Sequence, residues 1–244
     1  MNETHRIIRS HRSIRAFLDE PLGDGTIEAI VECATAAATS SNVQATTVIR
    51  VRSADTLATI AEVAGGQTQI ETAGAFLVWC ADMRRPSIAS ELAGVTAASG
   101  MTEHFIIATV DVALAAQNAV IAAESLGLGI CYIGAVRNDP QVVADLLELP
   151  DNVYPVFGMC IGVPDQDPAV KPRLPQRVIL RDEVYGEDDV DGIDEYDQTM
   201  SAYYASRSGG SRNATWSSEM ARLLGREGRP HMREFLADRG FEMR

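Results

Sequence analysis

Residues 102–133 read TEHFIIATVDVALAAQNAVIAAESLGLGICYI, and the way this stretch folds sets the class of the whole chain. Thr102 to Leu126 is the longest periodic element, and as a helix it would span about 37 Å. On a helical wheel Glu103, His104, Asp111, Gln117, Asn118, Glu124 and Ser125 share one face. Ile106, Val110, Ala113, Leu114, Ala116 and Ile121 belong to a wide apolar arc. So few charges on so long a helix predict burial on more than one side. A central core helix and a subunit-interface helix both satisfy that pattern. Asp111, Gln117 and Asn118 argue against a membrane span over Phe105 to Ala123. Gly129 to Ile133 follows as a short strand. The glycines from Gly127 to Gly134 imitate a dinucleotide fingerprint, but they lie between a helix and a strand. The dinucleotide turn needs strand then helix, so that reading is rejected.

Working outward, Thr26 to Ala38 is predicted as a helix, Thr46 to Val51 as a β-branched strand, and Ala54 to Ala64 as a helix ending at Gly65-Gly66. Ala75 to Cys80 is an apolar strand. Arg84 to Gly100 is rich in small and polar residues and reads as a loop or a mobile helix. A helix is expected near Asp139 to Leu147 and a nearly continuous apolar strand over Val153 to Val163, with Pro155 near its start. Helices follow at about Ile193 to Arg207, Trp216 to Leu224 and Pro230 to Arg239. Helices and strands mix without regular alternation, which predicts α+β, a small mixed sheet surrounded by helices. We read 1–244 as a single domain with a C-terminal helical excursion over about 182–244.

Apolar content of 46% with 23% charged residues suits a folded protein. The formal net charge of −13 opposes general attraction to nucleic acid or anionic lipid. Met1 to Arg15 has no apolar core, so no secretory signal is read there and a cytoplasmic protein is expected. Asp182 to Asp197 carries many carboxylates and no basic residue, the pattern of a solvated surface. Cys33, Cys80, Cys131 and Cys160 are far apart without C-x-x-C and are expected to be buried, reduced thiols.

The sequence lacks a P-loop motif, H-E-x-x-H and G-x-S-x-G, and its four histidines show no metal-ligand spacing. No metal is expected, and any chemistry should belong to a bound cofactor. Positive charge gathers at three places. His11-Arg12-Ser13-Ile14-Arg15 offers two guanidiniums, a hydroxyl and an imidazole. Lys171-Pro172-Arg173-Leu174-Pro175 sets two cations in a proline-stiffened segment. Arg207 and Arg212 bracket a Ser/Gly loop. In so acidic a chain these suggest separate anion sites.

The same residues carry a likeness. His11-Arg-Ser-Ile-Arg15-x-Phe17, Gly65-Gly-Gln67, Ala115-Ala-Gln-Asn-Ala, Ala122-Ala-Glu-Ser-Leu-Gly-Leu-Gly129, Tyr132-Ile-Gly134 and Lys171-Pro-Arg-Leu-Pro175 stand in this order. Together they resemble the nitroreductase family, most closely its oxygen-insensitive NADPH nitroreductase and flavin reductase branch. The likeness runs from about His11 to the C-terminus, including Thr215-Trp216. It implies a nitroreductase-like α+β fold, an intertwined homodimer, and one FMN per subunit at the dimer interface. His11, Arg12 and Ser13 would hold the ribityl phosphate, joined by Lys171 and Arg173. Arg15 would face the pyrimidine edge near N1 and O2, with Gln67 nearby. Backbone amides of Ile133, Gly134 and Ala135 would meet N5 and O4, and Tyr132 before them is counted among the cofactor-binding residues. Ser40, Ser41 and Gln44 match another flavin-contacting stretch, and Arg207 and Arg212 match positions that grip the 2′-phosphate of NADPH. No side-chain catalyst is implied, because hydride transfer at flavin N5 needs stacking and orientation.

Three positions depart from the branch. Asn42 stands where an aromatic residue is frequent beside the flavin, which bears on acceptor preference. Ala135 replaces a usual second glycine, which a negative φ would accommodate. Asn213 replaces a third basic residue, which bears on the strength of NADPH preference. The expectation is therefore an NADPH-dependent FMN oxidoreductase acting on nitroaromatics, quinones or free flavin. The alternatives are a protein that stores or senses FMN without turnover, and an anion-binding domain with no chromophore.

Overall fold

The computed structural model describes residues 2–207 and 214–244. Among them four strands form one sheet: β1 (Thr46–Val51), β2 (Ala75–Asp82), β3 (Gly129–Ile133) and β4 (Val153–Gly162). The order is β1-β2-β4-β3 and every neighbouring pair is antiparallel. The inner strands β2 and β4 are buried along nearly their whole length, which is why they read as continuous apolar runs. Pro155 pairs with Cys80 at a register shift between Trp79 and Cys80. A bulge is where a sheet tolerates a residue without an N–H. The α+β class read from the irregular order of elements is the class observed.

The long helix, Thr102–Ser125, packs against the Thr26–Thr35 helix and across the sheet. Ala108, Val112, Ala115, Ala116, Ala119, Val120 and Ala123 face the core, and their small size lets the backbone approach closely. The wheel misplaced one residue. Asp111, grouped with the outward polar face, is only 3% exposed, while Ile106, Val110 and Leu114 are 43–49% exposed. The carboxylate turns inward because three donors of a neighbouring loop wait for it there.

Arg84 to Gly100, read as a loop or mobile helix, begins with a helix at Arg84–Leu92. Asp82 Oδ1 accepts from the backbone N–H groups of Arg84 and Arg85 at 3.0 and 3.2 Å, giving that helix its start. A further helix, Glu3–Arg9, is capped by Asn2, whose side chain accepts from His5 N. Short helices at Gln69–Thr72 and Gln176–Ile179 also escaped the periodicity. Four residues give no period to detect.

The chain divides into two compact units. The first comprises Met1–Pro168 and His231–Arg244, and the second Ala169–Pro230. In the first, the C-terminal segment returns Phe235, Leu236 and Phe241 to the main core, with the Phe241 ring edge-on to Tyr154 at 4.9 Å. In the second, the Val190–Arg207 helix packs Tyr196, Met200 and Tyr204 against Leu174 and Trp216. Thr215 and Ser218 close a capping box on the Trp216–Leu224 helix. The acidic run is largely exposed, as expected, though Asp189 caps Gly192 N at 2.8 Å and Arg177 pairs with Glu195.

Candidate active site

A strap from His11 to Leu18 extends the sheet beyond β3. Ser13 bridges Ile130 in parallel, and Ile14 N donates to Ile130 O at 2.8 Å. Leu18 N donates to Val163 O at 2.9 Å, and Phe17 bridges Pro164. Glycine makes this approach possible. A Cβ on Gly129 would lie 2.7 Å from Ile14 Cγ1, and one on Gly162 would lie 2.8 Å from Phe17 Cδ1.

Ile14 and Phe17 point into the core, while His11, Arg12, Ser13 and Arg15 stay partly or fully exposed. His11 Nδ1 meets Glu124 Oε1 at 2.6 Å, and Arg12 Nη2 meets Asp167 Oδ1 at 2.6 Å. Arg15 has no carboxylate partner among the described residues, and its charge is felt by Cys131 on the adjoining strand. An unneutralised guanidinium beside a sheet edge suits an electron-rich ring or a phosphate.

β3 delivers the next group. Tyr132 stacks edge-on to Phe157 at 4.9 Å, and burial together with the Glu124 charge pushes its hydroxyl far up, so it stays a neutral donor. The chain then enters a 3-10 turn, Gly134–Asn138. A Cβ on Gly134 would meet Arg137 Nη2 at 3.3 Å. Ala135 is not among the residues with positive φ, so it fits where glycine was usual. The Ala54–Val63 helix packs on this turn, with Asn138 Nδ2 donating to Val63 O at 3.1 Å. Past its Gly65-Gly66 end, Gln67 donates to Ala64 O and accepts from Gln69 Nε2 at 2.8 Å.

Ser40, Ser41 and Gln44 lie elsewhere. They form a loop before β1, at the opposite sheet edge, beside a cleft of about 670 Å³ lined in part by Asn42, Gln44, Trp79 and Arg85. Ser41, Asn42 and Gln44 adopt φ of 46°, 59° and 55°, left-handed values that cost roughly 1 kcal/mol or more each for such residues. Asp111 accepts from Thr39 Oγ1, from Ser40 N at 3.1 Å and from Ala45 N at 3.1 Å. Arg85 bolts the loop's end to β1, reaching Thr47 Oγ1 at 2.7 Å and pairing with Asp82 at 3.1 Å.

The second unit carries its own cations. Lys171 Nζ lies 5.7 Å from the Tyr204 ring centre, and the Arg207 guanidinium 5.6 Å from that of Tyr203. Arg173 donates to Lys171 O at 2.7 Å, and Tyr196 OH to Pro172 O at 2.8 Å, which fixes the proline segment on the helix. Arg212 lies outside the described residues. The Tyr203-Tyr204 platform escaped sequence reasoning, although two adjacent tyrosines one turn before an arginine were its signal.

The sequence as a whole decides what this arrangement belongs to. Residues 8–163 match the nitroreductase family, and residues 171–244 match the C-terminal domain of that family. The chain belongs to the nitroreductase family. It is 41% identical over 244 residues, the full length of both chains, to the NADPH-flavin oxidoreductase of Vibrio harveyi. It is 38% identical, again covering 100% of both, to the oxygen-insensitive NADPH nitroreductase of Salmonella typhimurium. The solved structure of B. megaterium NfrA1 superposes with a TM-score of 0.96 at 42% identity, covering 99% of this chain and 100% of that one.

The thiols of this nitroreductase-family chain take no visible part. Burial pushes Cys80 up to about 12 and raises Cys131 and Cys160 as well. Cys33, expected to be buried, is exposed on the Thr26–Thr35 helix. Among the described residues there is no cluster of His, Cys, Asp or Glu able to hold a metal.

Proposed function

We infer that this chain is an NADPH-dependent FMN oxidoreductase whose acceptors are small electron-poor molecules: nitroaromatics, quinones or free flavin. The observation that carries the reading is Arg15, exposed and without a carboxylate partner among the described residues, on the same sheet edge as the Gly134 turn. That donor set fits FMN. His11, Arg12 and Ser13 offer an imidazole, a guanidinium and a hydroxyl for its phosphate. Arg15 and Gln67 are assigned to the polar edge of the ring, and Tyr132, Ile133, Gly134 and Ala135 to the side where a side-chain-free backbone can approach. Lys171 and Arg173 are assigned as phosphate-binding cations, and Arg207 and Arg212 as the clamp for the 2′-phosphate of NADPH.

Bound FMN supplies the hydride relay between donor and acceptor. The protein's own contribution is orientation and fixed charge. Arg15 stabilises negative charge on the ring without reorganising at the moment it appears. The strap and the Gly134 turn, both hydrogen-bonded into one sheet, hold the ring's partners rigid.

The working unit is a homodimer in the cytoplasm. Ser40, Ser41 and Gln44 stand too far from the strap for one chain to complete the pocket, so a second copy supplies them. Ile106, Val110 and Leu114, one stripe at i, i+4 and i+8, are the apolar surface that such a copy would cover. The long helix passes a length and composition test for a membrane span, but its inner face is already packed in the core.

Steady-state oxidation of NADPH by FMN-loaded protein tests the reading. Turnover with a quinone, a nitroaromatic or free flavin, faster with NADPH than with NADH, is the expected result. Bound FMN with no turnover against all three classes of acceptor would favour a storage or sensing protein.

A further inference from the structure

We propose that Asp111 is a positioning residue for the flavin site, acting through the loop from Thr39 to Ala45. This rests on the reading that Ser40, Ser41 and Gln44 contact FMN. Asp111 sits in the middle of the long helix, 3% exposed, on a helix whose other buried residues are alanines and valines. Its hydrogen-bond partners are a hydroxyl and two backbone amides, Thr39 Oγ1, Ser40 N and Ala45 N. Burying a carboxylate on neutral donors is expensive, and helix packing alone does not call for it.

The loop explains the expense. Ser41, Asn42 and Gln44 all hold left-handed φ, and none is glycine, so the shape is imposed rather than intrinsic. One carboxylate imposes it at both ends, through Ser40 N and Ala45 N. It also reaches the middle, because Thr39 Oγ1 gives its proton to Asp111 and accepts from Gln44 N at 2.8 Å. Only an acceptor-only group can take three donors in this way. An asparagine would turn an N–H₂ toward one of the backbone N–H groups and leave it unpaired.

The test uses full-length Asp111→Asn, Thr39→Val and Thr39→Ser, each with three readouts. These are amide hydrogen exchange of the apoprotein at Ser40, Gln44 and Ala45, the dissociation constant for FMN, and the visible circular dichroism of bound FMN. In Asp111→Asn, loop exchange quickens, FMN binding weakens roughly tenfold, the effect of one charge-assisted hydrogen bond, and the dichroic bands change. Thr39→Val moves the same way, and Thr39→Ser, which keeps the hydroxyl, behaves as wild type. Should Asp111→Asn fail to fold, the two Thr39 variants carry the test. A folded Asp111→Asn or Thr39→Val with wild-type FMN affinity and dichroism overturns the proposal, even if its melting temperature falls. Wild-type protein that takes up no FMN instead brings down the underlying reading, and with it the flavin role of Asp111.

Discussion

Ser13 and Gln44 stand near diagonally opposite corners of the sheet. Ser13 bridges Ile130 on β3, whose partner Ile161 pairs with Ala75 at one end of β2. Gln44 immediately precedes Thr46–Val51, and Thr46 pairs with Ala81 near the other end of β2. Four strand spacings one way, from β1 to the strap beyond β3, and six residues the other put more than about 20 Å between them. The proposed assignment of both to one FMN therefore calls for a second copy of the chain.

The first prediction concerns the surface that would bring a second copy in. Val110→Glu places a charge in the exposed Ile106–Val110–Leu114 stripe, where the lone subunit tolerates it. Sedimentation should show a monomer, and FMN should be lost with the dimer. A monomer that keeps its FMN at full affinity would mean that one chain suffices.

Arg15→Ala removes a guanidinium that no carboxylate among the described residues neutralises. FMN affinity or the rate of reduction by NADPH should fall by about tenfold to a hundredfold, the range of a hydrogen bond to a charged group. Unchanged occupancy and unchanged reduction would take Arg15 out of the site.

Arg207→Ala combined with Arg212→Ala should raise KM for NADPH about tenfold or more and leave KM for NADH nearly unaltered, because only NADPH carries the extra phosphate. Equal effects on both donors would remove the 2′-phosphate role.

The cysteines make a prediction about alkaline pH. Cys80, raised to about 12, holds its proton in the folded chain long after an unfolded thiol, near about 8.5, has lost it. Above that value the unfolded state binds fewer protons than the folded one, so stability falls as pH rises toward 12. Cys131 and Cys160, also raised by burial, add to the same trend. A disulfide reagent at neutral pH should modify Cys33 alone until denaturant is added. Rapid labelling of a second thiol in the native protein would contradict the burial.

The fold was legible where side chains repeat or punctuate. Thr46–Val51 and Gly129–Ile133 emerge with the bounds read from β-branched and apolar runs, and the long helix ends within a residue of its expected stop. The cationic strap was legible because basic residues are scarce in this chain. What escaped was tertiary. Asp111 looks like any polar residue on a wheel, since nothing local tells that its donors come from a loop some seventy positions away. The left-handed backbone at Ser41, Asn42 and Gln44 is equally silent, because no glycine marks it. The Arg84–Leu92 helix was obscured by a composition of small and polar residues and by a capping aspartate, Asp82, hidden at the end of a strand.

The central claim is that this chain holds FMN and passes electrons to it from NADPH. A visible absorption spectrum of the purified protein, recorded before and after anaerobic NADPH, tests it most directly. Flavin bands that bleach on addition of NADPH are the predicted result. A colourless protein that cannot take up added FMN, or flavin bands that persist with both NADPH and NADH, would contradict the account.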